Sequence, residues 1–78
     1  MSKSVILYSK ATCPLCDEAA HLLEELQNEM SFSFQTIDIY SDEELLEKFM
    51  LMIPVVEIDG DIIDYGRISK KTLRKRLL

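Results

Sequence analysis

Apolar residues run without a break from Val5 to Tyr8 inside the segment Ser4 to Ser9, which predicts a strand covered on both faces and hence central in its sheet. From Pro14 onward the apolar positions change period. Leu15, Ala19, Leu22, Leu23, Leu26 and Met30 form a helical stripe, with Asp17, Glu18, Glu24 and Glu25 on the other faces. Pro14 suits the first helical position, where no N–H is needed. Phe32 to Tyr40 alternates, with the apolar side switching midway, and is expected to be a strand. Ser41, three residues before Glu44, forms a capping-box signature for a helix whose apolar side is Leu45, Leu46, Phe49 and Met50. Val55 to Ile58 and Asp61 to Tyr65 flank Asp59-Gly60, a pair that favours a type I′ hairpin. The last element runs from Ser69 to Leu78, with Leu73 and Leu77 one turn apart for docking.

The order is therefore strand, helix, strand, helix, strand, strand, helix. Two right-handed crossovers followed by a hairpin predict an α/β fold, a four-stranded mixed sheet flanked by three helices. With 78 residues and 47% hydrophobic composition, the chain is expected to be a single domain over 1–78, near the lower size limit for an independent core.

Charge narrows the function. A net charge of -5 argues against general nucleic-acid affinity, because phosphate contacts need a positive surface. Lys70, Lys71, Arg74, Lys75 and Arg76 crowd the C-terminal end and are expected to be a solvated helix face complementing the helix dipole, while Asp42, Glu43, Glu44 and Glu47 form an acidic run. No apolar run approaches the roughly 20 residues of a membrane span, and Met1 to Tyr8 lacks the basic segment and cleavage site of a signal peptide. A soluble, cytoplasmic monomer without membrane contact is expected.

The chemistry sits in two cysteines. Cys13 and Cys16 are three residues apart, just past the first strand and at the start of the first helix. A helix start presents unpaired N–H groups and the positive end of the macrodipole, which favour a thiolate, the nucleophile of thiol-disulfide exchange. Residues i and i+3 share a helix face, so Cys16 can attack a mixed disulfide on Cys13. As a permanent staple so short a loop is worth only on the order of 2 kcal/mol, and a reducing compartment disfavours such staples. A nearby Lys10 ammonium would favour the thiolate; Asp17 and Glu18 would oppose it. His21 is five positions past Cys16, and the expectation is a solvated residue. Met50, Met52 and Phe49 are read as core filling rather than soft-metal chemistry.

Ser9-Lys10 leading to Cys13-Pro14-Leu15-Cys16, this element order, and Ile53-Pro54 opening the third strand resemble the thioredoxin fold and, within it, the glutaredoxin-like small redoxins. The likeness spans nearly the whole chain. It implies a dithiol-disulfide oxidoreductase in which Cys13 attacks and Cys16 resolves, and in which Pro54 is cis and packs beside the cysteine pair, with the backbone of Ile53 bonding an extended substrate. On its own chemistry, an X-Pro bond is usually trans. The resemblance also places Lys10, Pro14, Leu15, Gly66 and Arg67 among the substrate-binding positions. Two departures stand out: Leu15 replaces the family's usual aromatic residue, and Asp64-Tyr65-Gly66-Arg67-Ile68-Ser69 replaces the double glycine and following acidic residue that hold glutathione. Arg67 offers a guanidinium for a carboxylate. No resident cofactor is required. Glutathione is one available co-substrate, a thioredoxin-reductase-type donor is another, and the expected substrate is a disulfide-containing protein.

Other uses of the same cysteines stay open. Small copper chaperones also carry Thr-Cys-x-x-Cys after their first strand, and paired thiolates suit Cu(I), although the helix between the middle strands and the C-terminal helix do not match that element order. A dimer bridging an iron-sulfur cluster through Cys13 of each chain is a further alternative. Zinc in a monomer is disfavoured, since Cys13, Cys16 and His21 fall short of four ligands.

Overall fold

Val5 and Leu7 on one side of β1 (Ser4–Ser9), and Ile6 and Tyr8 on the other, join two different apolar cores in the computed structural model, which describes residues 3–78. The unbroken apolar run is thus covered on both faces, as a central strand requires. Met1 and Ser2, part of the stretch read for a signal peptide, lie outside the described residues. β1 is followed by helix α1 (Pro14–Gln27), β2 (Ser33–Asp38), a 3-10 turn (Ile39–Ser41), α2 (Glu43–Phe49), β3 (Val55–Ile58), β4 (Asp61–Tyr65) and α3 (Lys70–Leu77). The sheet order is β2-β1-β3-β4.

β1 pairs parallel with β2 and antiparallel with β3, and β3 pairs antiparallel with β4. Only the β1-α1-β2 connection is therefore a parallel crossover. The second connection returns β3 to the free side of β1 in the opposite direction, which corrects the expectation of two crossovers. Hydrophobic pattern reveals that a strand is buried; it carries no record of strand direction.

Helices cover both faces. Ala19, Leu23 and Leu26 of α1 and Leu73 and Leu77 of α3 pack with Val5, Leu7, Val56 and Ile58. On the opposite face, Phe49 of α2 packs with Tyr8, Ile39 and Val55, and the Tyr8 and Phe49 rings lie 4.7 Å apart, tilted by 32°. Phe34 of the edge strand β2 leans to the first core and Ile37 to the second, which explains the mid-strand switch of its pattern.

Three boundaries differ from the sequence reading. β2 stops at Asp38, whose carboxylate accepts from the N–H of Tyr40 at 2.9 Å and turns the chain into the 3-10 segment. Ser41 lies in that segment and donates its hydroxyl to the Asp38 carbonyl at 2.6 Å, so the cap of α2 is instead Asp42, which accepts from the Glu44 N–H at 2.8 Å. Asp caps a helix as well as Ser does, and two candidate caps in succession leave the choice to the preceding turn. Met50 stands at the C-terminal cap, past the buried stripe, and is 54% exposed.

The hairpin is as expected. Asp59 and Gly60 have φ of +49° and +90°, the left-handed pair that a type I′ turn demands. Asp59 also receives the Ser4 N–H on its carboxylate at 2.9 Å and donates its own N–H to the Ser4 carbonyl at 2.8 Å, tying the turn to the start of β1.

The basic face of α3 is solvated, as expected, and three of its side chains also pair with carboxylates. Arg74 makes a bidentate pair with Glu29 at 2.8 and 2.9 Å, Lys70 stands 3.6 Å from Glu25, and Arg76 stands 3.7 Å from Asp61. These contacts tie α3 to the end of α1 and to β4. Hydrogen bonding from Arg74, followed by its charge, holds the Glu29 carboxyl below the usual carboxylate range. A carboxylate with a lowered folded-state pKa contributes stability that is complete above its unfolded value and lost as pH falls through the lowered one. Glu29→Gln is accordingly expected to melt below the wild type at neutral pH, with the gap closing towards the acid end of a thermal-melt series. A gap independent of pH would show that the pair acts through packing alone.

Candidate functional site

The register Tyr8↔Val55 sets the last turn of β1 beside the first residue of β3. The chain leaving β1 for α1 and the chain entering β3 therefore meet at one end of the sheet. On the first of these, Thr12 takes a φ of +53°, and Cys13 follows in extended geometry as the N-cap of α1. Its sulfur takes the capping role usually filled by oxygen: the Cys16 N–H points to Cys13 Sγ at 3.2 Å, and the Asp17 N–H donates to the Cys13 carbonyl at 3.0 Å. Pro14 occupies the first helical turn. Cys16 lies one turn on, 5.2 Å away between Cα atoms, and the two sulfurs are joined as a disulfide.

On the second, the Ile53-Pro54 peptide is cis and Pro54 is buried. The segment before it is held by backbone bonds. The Met52 and Ile53 N–H groups donate to the Phe49 carbonyl at 2.8 and 3.2 Å, and the Gly66 N–H donates to the carbonyls of Met52 and Pro54 at 3.0 and 2.8 Å.

Between the two segments opens a hollow of about 380 Å³ lined by Lys10, Cys13, Pro14, Leu15 and Ile53, five residues proposed from sequence. Thr12, Met50 and Leu51 complete it. The last two were missed. Leu51 is 93% exposed, and the available signal was a large apolar residue between a helix end and an Ile-Pro, where no stripe could bury it. Both cysteines are largely buried, and of the two only Cys13 lines the hollow.

Gly66 and Arg67 fall elsewhere. Gly66, at φ +72°, turns the chain after β4 and bonds through its backbone to the Pro54 segment. Arg67 lines a neighbouring hollow, also of about 380 Å³, with Glu18, Glu25 and Lys70; Leu15 forms the ridge shared by the two. His21 is exposed on α1, as expected, and Met52 is half-buried against the α2 core. Among the described residues no group of three or more His, Cys, Asp or Glu stands close enough together to hold a metal ion. Tyr8 donates its hydroxyl to Glu57 at 3.4 Å; burial, and then the Glu57 charge, push the phenol pKa up, so it stays protonated as a donor.

A cystine at the first strand-to-helix turn, with one sulfur lining an open hollow and a cis proline, itself outside that lining, at the entry to β3, defines on this sheet order a thioredoxin-fold protein equipped for thiol-disulfide redox chemistry. The profile of the Glutaredoxin-like domain (DUF836) matches residues 4–78, and the chain belongs to that family. An uncharacterized protein of Mycobacterium tuberculosis is 32% identical over 75 residues, covering 90% of this chain and 77% of its own. Among solved structures, a Nitrosomonas europaea protein superposes with a TM-score of 0.90 at 20% identity, covering 100% of this chain and 94% of its own. One from X. campestris gives 0.74 at 27% identity over 94% and 93% of the two chains. A thioredoxin mutant from Halobacterium salinarum gives 0.71 at 15% identity over 97% and 72%, a likeness of fold.

Thr12 tests the backbone of the turn. A β-branched residue in left-handed geometry is disfavoured by about 1–2 kcal/mol, and glycine removes that penalty at some cost in unfolded-chain entropy. Thr12→Gly is expected to raise the denaturant midpoint of the oxidised protein by the equivalent of about 1 kcal/mol or less. A lower midpoint would mean that the threonine side chain makes a contact stronger than the strain it carries.

Proposed function

We propose that the protein is a dithiol-disulfide oxidoreductase in which Cys13 is the attacking sulfur and Cys16 the resolving one. The observation that carries this reading is the asymmetry of the pair: both sulfurs are buried, at 8% and 4% exposure, but Cys13, at the helix start, lines the hollow, while Cys16, one turn on and within bonding distance, does not. In the reduced protein the Cys16 N–H and the other free amides of the first turn stabilise a Cys13 thiolate. That thiolate attacks one sulfur of a substrate disulfide. A Cys13-substrate bond forms, the substrate S–S bond breaks, and the other substrate sulfur leaves as a thiolate and takes up a proton. Cys16, losing its proton, then attacks Cys13 Sγ, which releases the second substrate thiol and leaves the Cys13-Cys16 disulfide. Two electrons have passed to the substrate, and two thiols of a donor return them.

The cycle needs no resident cofactor. The donor is glutathione or a thioredoxin-reductase-type protein, the substrate is a disulfide-containing protein, and the working form is a monomer in the cytoplasm. The absence of the family's second glycine and its acidic residue after Gly66 favours a protein donor. None of the described helices is long and apolar enough to cross a membrane.

Intact-mass analysis after brief exposure to oxidised glutathione tests the mechanism. Cys16→Ser is expected to trap one glutathione on Cys13, whereas reduced wild type proceeds to the internal disulfide and Cys13→Ser gains nothing. An unmodified Cys13 in a protein that instead binds Cu(I) or purifies with a coloured cluster would make the pair a ligand set and overturn the reading.

A further inference from the structure

The wall of the Cys13 hollow formed by Met50 and Leu51 has no part in the exchange chemistry, and its construction is unusual. A leucine 93% exposed normally sits on a loose loop or at a chain end, as Leu78 does at 82%. Leu51 sits instead in a turn whose backbone is tied on both sides: the Met50 N–H donates to Leu46 at 2.9 Å, Met52 and Ile53 donate to Phe49, and Gly66 reaches in from beyond β4. Its neighbour Met50 is 54% exposed on the same wall, and Leu15 and Ile53 continue the apolar surface past Cys13. Isolated exposed apolar residues are ordinary, but here they are contiguous around a reactive sulfur. Among the described residues that line the hollow, Lys10 carries the only charge, and it takes part in none of the ion pairs formed among the described residues.

We propose that Met50 and Leu51 are specificity residues: the hollow is built for an extended protein segment that carries a large apolar side chain beside its disulfide cysteine and an acidic residue where Lys10 stands. The inference rests on the exchange reading above and names the substrate class for it. Two features of the hollow select this occupant. The apolar wall is continuous with the face of Cys13, so a segment whose sulfur reaches Cys13 must lay its flanking residue on Leu51 or Leu15. Lys10, the one charged side chain among the described residues that line the hollow, complements one anionic side chain. A glutathione mixed disulfide meets half of this description at most, since its residues are a γ-linked glutamate, cysteine and glycine. It has carboxylates for Lys10 and no apolar side chain for Leu51. Covering a leucine and the apolar partner it meets is worth roughly tenfold or more in binding, the contribution of about one buried side chain.

The test uses two probes with the same chromogenic thiol as leaving group: the mixed disulfide of the peptide acetyl-Asp-Leu-Cys-Ala-amide and that of glutathione. Each is mixed with fully reduced protein under second-order conditions. Wild type is expected to release the chromophore from the peptide probe roughly tenfold faster than from the glutathione probe. Leu51→Ser is expected to bring that ratio close to one, chiefly by slowing the peptide reaction, and Met50→Ser to lower it by less. Leu78→Ser, which removes another highly exposed leucine that does not line the hollow, serves as the control and keeps the wild-type ratio. Equal rates for the two probes in wild type, or a ratio untouched by Leu51→Ser, overturns the proposal while leaving the exchange mechanism standing. Release from neither probe above the Cys13→Ser background overturns the exchange mechanism itself, and this proposal with it.

Discussion

Burial of β1 on both faces is the constraint on which the rest of the molecule depends. Val5 and Leu7 need the helices α1 and α3, Ile6 and Tyr8 need α2, and a slip of one residue in register would exchange the two sets. Because β2 and β3 flank β1 on opposite sides, the strand has no free edge and its end is fixed in space. Cys13 lies four residues past that end, and Pro54 one residue before the strand that pairs with it. The Cys13 turn and the Ile53-Pro54 segment, about forty positions apart in the chain, are therefore brought to the same end of the sheet by the pairing of β1 with β3, and Cys13 and Ile53 line one hollow there.

The same economy appears at the start of α1, where the sulfur of Cys13 both caps the helix and faces the hollow. An oxygen cap would serve the helix equally well or better, and serine is among the best. Replacing the sulfur with serine therefore removes the thiol that the proposed mechanism needs while leaving the helix start with a competent acceptor, which separates the capping role from the proposed chemical one. The capping bond is directed at the sulfur that the proposed mechanism makes the attacking thiolate, so on that proposal the interaction that organises the local fold also favours the reactive form.

Much of this arrangement can be read from the chain alone, and the parts that cannot have physical reasons. The unbroken run at β1, the stripe of α1 and the Asp59-Gly60 turn are local signals, each satisfied within a few residues. Cys13 and Cys16 are legible for the same reason, their spacing and their place at a strand-to-helix junction being local facts. The direction of β3 is a long-range choice made between two equally buried strands. Ser41 and Asp42 offered two adjacent caps, and the Asp38 carboxylate, by turning the chain early, selected the second. Arg67 was grouped with the cysteine site through its place after β4, but the backbone bonds of Gly66 turn the chain so that Arg67 faces the far side of Leu15. The apolar wall of the hollow escaped notice because a pattern that finds buried residues takes Met50 for core and passes over Leu51 altogether.

Phe49 shows why that wall exists. It ends a helix of only 7 residues, and its ring is fully buried against Tyr8, which anchors α2 to the sheet. Its carbonyl accepts from both Met52 at i+3 and Ile53 at i+4, at 2.8 and 3.2 Å, so the backbone bonding of α2 runs on into the approach to Pro54. One residue thus fastens α2 through its side chain and the approach to Pro54 through its backbone. By stopping at Phe49 and folding back on that carbonyl, the chain holds both side chains on the rim of the hollow, so the short α2 is as much a feature of the site as of the fold.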